Sequence, residues 1–140
     1  MPTVVDELDE AFYTAYQNVD PTGKRFLVWV EVSGSMEISA LGLPLSACEI
    51  ATAMAMVTVS VEPEVMTMAF ADAFRKLLLS RRMWLDDALK HTRRQNFGGT
   101  DCALPMSYAL KNRIPVDVFV VYTDSETWFG NQHPTQTLSK

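Results

Sequence analysis

Phe26-Leu27-Val28-Trp29-Val30-Glu31-Val32, running straight into Ser33-Gly34-Ser35, is the stretch that decides the fold. Residues of high strand propensity stand together without polar alternation, broken only by Glu31. A strand with one wet face alternates apolar and polar residues, so this run predicts a central strand covered on both sides. A second central-type run, Val116–Tyr122, also finishes in small polar residues, Thr123-Asp124-Ser125. Ligands of open α/β sheets gather where strands end at their carboxyl side. Two buried strands ending in hydroxyls and carboxylates therefore predict a layered α/β fold with a site at that rim.

The segments around these runs supply the helices and further strands. Val5, Leu8, Phe12, Ala15 and Tyr16 recur at helical spacing, with acidic residues early, where the helix dipole favours them, so Val4–Gln17 reads as a leading helix. Residues 1–20 are thus a leading helix and linker, and 21–140 the domain proper, with Asp20-Pro21-Thr22-Gly23 a turn. Leu45, Ala47, Ile50, Ala51, Met54 and Val57 predict a helix over Leu45–Val59. Thr58, Val59 and Val61 favour a strand locally and leave the end of that helix open. Glu62-Pro63-Glu64 is a stop, Val65–Ala71 a strand, and Ala73–Ser80 a shorter antiparallel one beside it. Met83–Gln95 reads as an amphipathic helix with Trp84, Leu85, Ala88 and Leu89 inward and its bases outward. Asn96-Phe97-Gly98-Gly99 breaks it. Asp101–Asn112 follows as a helix that tolerates Pro105 in or near its first turn, and one helical turn closes the tail. The alternation predicts a mostly parallel sheet with helices on both faces.

Composition narrows the function classes. A chain of 140 residues suits one domain with a real core. A net charge of −5 argues against general nucleic-acid binding by the whole chain. Five bases, Arg81, Arg82, Lys90, Arg93 and Arg94, nevertheless cluster mid-chain. They read as a solvated helix face or as a patch for RNA phosphate or an acidic partner. No secretory signal or membrane-spanning stretch is visible, which points to the cytoplasm, with the nucleus as a further compartment, and to no membrane partner. Cys48 and Cys102 are too few for a disulfide framework or a zinc site and read as two buried or half-buried thiols. Gly98-Gly99 lacks the Lys-Ser/Thr pair of a nucleotide loop. Asp117 and Glu126 read as solvated or capping residues.

The chemistry lies in the oxygens at the strand ends. Glu31-x-Ser33-x-Ser35, Thr100 after the glycine break and Asp124 at the end of the last strand form an oxygen-rich set. A hard dication such as Mg²⁺ takes about six oxygens and keeps some of them as water. Few direct carboxylates leave such an ion electron-poor and receptive to a partner's carboxylate, which makes a recognition device more than a hydrolytic one. The rival reading is a Mg²⁺-dependent hydrolase or phosphotransferase using Glu31 and Asp124. No histidine, lysine or cysteine lies beside either carboxylate in sequence to serve as base or nucleophile, which counts against it.

Longer runs around these residues resemble a known family. Pro21-Thr22-Gly23-Lys24-Arg25-Phe26-Leu27 leads into Glu31-Val32-Ser33-Gly34-Ser35-Met36. With it stand Gly98-Gly99-Thr100-Asp101-Cys102-Ala103-Leu104-Pro105-Met106, Val116-Asp117-Val118-Phe119-Val120-Val121-Tyr122-Thr123-Asp124-Ser125-Glu126-Thr127, and the late His133-Pro134. Over residues 8–139 the chain resembles the C-terminal von Willebrand factor A-type domain of the Ro ribonucleoproteins, ring-shaped proteins that bind Y RNAs and misfolded small RNAs.

The resemblance implies a Rossmann-like A-type fold with a metal-ion-dependent adhesion site. Ser33, Ser35 and Thr100 match the hydroxyl ligands, and Asp124 the carboxylate that usually acts through water. The ion is Mg²⁺ or another divalent cation, and an acidic protein partner would complete it. Glu31 stands where the motif has aspartate, and its extra methylene carries the carboxylate toward the ion, either to ligate it directly or to crowd the site. RNA would reach such a protein through a helical-repeat ring that nothing in this chain supplies. The chain is expected to lack the C-terminal strands of the domain, leaving an apolar sheet edge beside Val116–Tyr122. An isolated A-type protein-interaction fragment with no RNA role is the other reading.

Overall fold

The computed structural model describes residues 1, 3–40, 42–70, 74–77, 79–81, 83, 85–93, 101–124 and 133–140, with the side chains of 74, 85, 86 and 93 left aside. The chain runs α1 (Val4–Ala15), β1 (Arg25–Glu31), α2 (Ala47–Val61), β2 (Glu64–Phe70), β3 (Phe74–Lys76), α3 (Leu85–Arg93), α4 (Leu104–Lys111), β4 (Val118–Tyr122) and α5 (Pro134–Leu138). Among the described residues the sheet order is β3-β2-β1-β4. β1 pairs in parallel with β2 on one side and β4 on the other, and β3 adds antiparallel to β2.

β1 is central for the reason its sequence gives. Leu27, Val28, Trp29 and Val30 are all fully buried. Alternation sends Val28 and Val30 to one face, where they meet Cys48, Ala51 and Ala55 of α2. Leu27 and Trp29 go to the other, with Phe70, Tyr108 and Ala109. Each such side chain contributes roughly 1.5–3 kcal/mol by leaving water. Helices thus cover both faces, as predicted, and the two thiols lie in separate cores on opposite sides of the sheet.

α2 starts at a Ser46 cap, whose hydroxyl accepts the Glu49 N–H at 3.2 Å. It runs through Thr58, Val59 and Val61, where local preference favours a strand. Val59 is buried, and the N–H of Glu62 bonds to the Thr58 carbonyl at 2.9 Å, so packing and the helical ladder override propensity. β3 is shorter than the sequence predicts, and α4 begins at Leu104 after the Asp101 carboxylate accepts the Ala103 N–H at 3.0 Å.

α1 is as predicted in place but not in contacts. A Thr3–Asp6 capping box opens it, and Tyr13, flanked by Phe12 and Tyr16, packs with Met56 and Ala88 of α2 and α3. Val5 and Leu8, expected on the same buried stripe, remain 66% and 65% exposed. Docking is confined to the second half of the helix, where the three rings meet edge to face. β4 has one strand neighbour, β1, among the described residues, and all five of its residues are half-buried.

Candidate metal centre

The site forms where β1 and β4 end side by side. Val30 pairs with Tyr122, so one step further Glu31 stands beside Thr123 on the same face of the sheet. Beyond Glu31 the chain turns through Ser33 into a 3₁₀ turn, Gly34–Glu37, anchored by the buried Met36. That turn brings Ser33 and Ser35 back toward the sheet, over the end of β4.

Glu31 is completely buried, an unusual place for a carboxylate unless it is hydrogen-bonded. The Ser33 hydroxyl donates to its Oε1, and the Thr123 hydroxyl donates to its Oε2. The Ser33 and Ser35 hydroxyl oxygens are 2.9 Å apart, and the Ser35 hydroxyl donates to Asp124 Oδ1 at 2.9 Å. Four of the five oxygen-bearing residues singled out from sequence therefore form one connected chain, Glu31–Ser33–Ser35–Asp124. The fifth, Thr100, lies outside the described residues, as do Gly98 and Gly99.

Counting protons tests whether this set fits a cation. A hydroxyl carries one proton, and an ionised carboxylate accepts only. Two serine hydroxyls thus hold two protons for three contacts: Ser33 to Glu31, Ser33 to Ser35, and Ser35 to Asp124. With both protons directed to the carboxylates, the two serine oxygens face each other through lone pairs. This cluster is, among the described residues, rich in oxygen lone pairs, the kind of donor set that suits a hard dication. Among the described residues no group of three or more His, Cys, Asp or Glu side chains comes together, so hydroxyls are indispensable to any such site.

Thr123 stood among the strand-end hydroxyls in the sequence but was not counted in the candidate set. The signal that would have found it is the register: in-phase parallel neighbours share a face, and Thr123 follows Tyr122 as Glu31 follows Val30. The basic cluster fares differently. Arg81 is exposed, and one of its guanidinium nitrogens, Nη2, donates to the carbonyls of Glu62 at 3.1 Å and Pro63 at 3.3 Å. Lys90 is exposed on α3, while Arg82, Arg94 and the side chain of Arg93 lie outside the described residues. His133, the later of the two histidines, caps α5, its Nδ1 accepting the Thr135 N–H.

Comparison with known proteins settles the family. The Ro60 vWA domain family model matches residues 25–140. The chain belongs to the Ro60 vWA domain family. It is 44% identical over 142 residues to the RNA-binding protein RO60 of Deinococcus radiodurans, covering all of this chain and 27% of that protein. It is 38% identical over 137 residues to the RNA-binding protein RO60 of Caenorhabditis elegans, covering 98% of this chain and 21% of that one. The crystal structure of the Deinococcus radiodurans RO (RSR) protein superposes with a TM-score of 0.85 at 45% identity, over 99% of this chain and 28% of that one. This Ro60 vWA domain thus spans about a quarter of the length of the relatives it matches, and its fold is the von Willebrand A-like α/β fold.

Proposed function

We propose that this chain is a non-enzymatic binding module of a Ro-like RNA-binding protein, and that it recognises an acidic protein partner through a divalent cation. Ser33, Ser35 and Asp124 would hold the ion, with Thr100 completing the set and Glu31 acting behind Ser33. Mg²⁺ is the expected ion. When bound, it would supply an electron-poor centre for a partner's carboxylate.

The observation that carries this reading is the hydroxyl-rich cluster, with two serine protons for three contacts among the described residues, at the carboxyl ends of two parallel strands. The family relationship supports it, since relatives carry the name RNA-binding protein. RNA itself, of the Y or misfolded small type, would be bound by a helical-repeat ring outside this chain rather than by Arg81, one of whose guanidinium nitrogens holds the carbonyls of Glu62 and Pro63.

Thermal stability measured across a Mg²⁺ titration tests the reading. The midpoint should rise with millimolar Mg²⁺ and lose that response in Ser35→Ala. A flat response in the natural chain, with Glu31→Asp acquiring one, would show that Glu31 blocks the site.

A further inference from the structure

We propose that Thr123 is the positioning residue of this site: it seats the Glu31 carboxylate, and through it sets how Ser33 faces the ion. The inference rests on the cation reading above. Among the described residues, Oε1 of the buried Glu31 carboxylate accepts the Ser33 hydroxyl and Oε2 accepts the Thr123 hydroxyl. The two contacts pull from opposite ends of one planar group, so they fix its rotation. That rotation is otherwise soft, because the terminal torsion of glutamate is broad. With the carboxylate fixed, the single proton of Ser33 is directed away from the cluster, and its lone pairs are left for a cation.

The geometry also accounts for glutamate at this position. Its longer arm is spanned between two hydroxyls on adjacent strands, one at the end of β4 and one in the turn after β1. Chain order strengthens the coupling, because Asp124, the next residue, takes the Ser35 hydroxyl. The end of β4 thus reaches the serine turn twice, through Thr123 by way of Glu31 and through Asp124 directly. Thr123 itself is exposed, so replacing it disturbs little packing.

The experiment uses the full chain and Mn²⁺ as probe, with electron paramagnetic resonance reporting the free ion and the symmetry of the bound one. Thr123→Val, which keeps the shape and removes the hydroxyl, should weaken Mn²⁺ binding several-fold, short of the roughly tenfold or greater loss seen when a metal ligand's own partner is removed. Thr123→Ser should restore it and the bound-ion spectrum. In EDTA, Thr123→Val and Glu31→Met, which keeps the length and removes both acceptor oxygens, should act non-additively on stability, since both remove the same contact. Unchanged Mn²⁺ affinity in Thr123→Val, or equal losses in the valine and serine variants, would overturn the proposal. If the natural chain bound no Mn²⁺, the cation reading would fail. The EDTA cycle would then decide the seating of Glu31 alone, with additivity refuting it.

Discussion

Arg25 and Asp117 clasp the start of β1 to the lead-in of β4, at the end of the strands away from Glu31 and Thr123. The Arg25 guanidinium meets both carboxylate oxygens, at 2.9 Å from Nε and 2.8 Å from Nη2. The Arg25 N–H adds a 2.9 Å bond to the same carboxylate, and the Asp117 N–H returns one of 3.0 Å to the Arg25 carbonyl. One end of the β1–β4 pair is thus closed by charge and the other by the hydroxyl chain.

This clasp makes a pH prediction. The Arg25 side chain and N–H hold the Asp117 carboxyl well below the usual carboxylate range. A carboxyl depressed in the folded state contributes stability above its unfolded value and loses it as pH falls toward the folded one. Asp117→Asn should therefore be less stable than the natural chain near neutrality. The gap should narrow progressively below about pH 4, the ordinary aspartate value. Urea melts of both proteins across that range would show it, and a gap independent of pH would count against the clasp.

A second carboxylate pins the loop before β1. Glu62 accepts the N–H groups of Thr22 at 2.8 Å and Gly23 at 3.1 Å, and the Thr22 bond foremost lowers its pKa. Gly23 turns at φ +73°, a region that costs a residue with a side chain roughly 1–2 kcal/mol. Gly23→Ala should lower stability by about that amount, and Glu62→Gln should weaken the same loop. Hydrogen exchange at the Thr22 amide should speed up in both variants.

Arg81→Ala separates the two meanings of the basic cluster. Loss of its bonds to the Glu62 and Pro63 carbonyls should cost on the order of 1 kcal/mol of stability. Affinity of this chain for a small structured RNA should remain weak and unchanged. A large drop in RNA binding without a change in stability would restore Arg81 to a binding surface.

Core packing gives the largest expected effect. Leu27→Ala, at a fully buried position of β1, should cost about 2–5 kcal/mol in urea melts. Ser46→Ala, removing the cap of α2, should cost about 1 kcal/mol. Comparable losses from the two would mean that the core beside Trp29 relaxes to fill the gap.

The parts legible in the sequence are those written in short range. The unalternating run at Phe26–Val32 announced a strand buried on both faces, and the apolar period from Leu45 to Val57 announced α2, though not the cap at Ser46 that starts it. Glu31, Ser33, Ser35 and Asp124 were visible because strand-end oxygens in an α/β pattern are informative by position. The rest depends on pairings across the chain. Asp117 read as solvated or capping because its partner, Arg25, is 92 residues away. Thr123 was seen as a strand-end hydroxyl but left out of the ion set, because only the β1–β4 register places it beside Glu31. The continuation of α2 through Val61 was hidden because buried contacts, not intrinsic preference, decide it.

The most direct test is anomalous diffraction from crystals of the chain grown with millimolar Mn²⁺. The account predicts one strong peak at direct coordination distance, about 2.0–2.6 Å, from the Ser33 and Ser35 hydroxyl oxygens. An empty cluster at that concentration, or a peak touching neither serine, would contradict it.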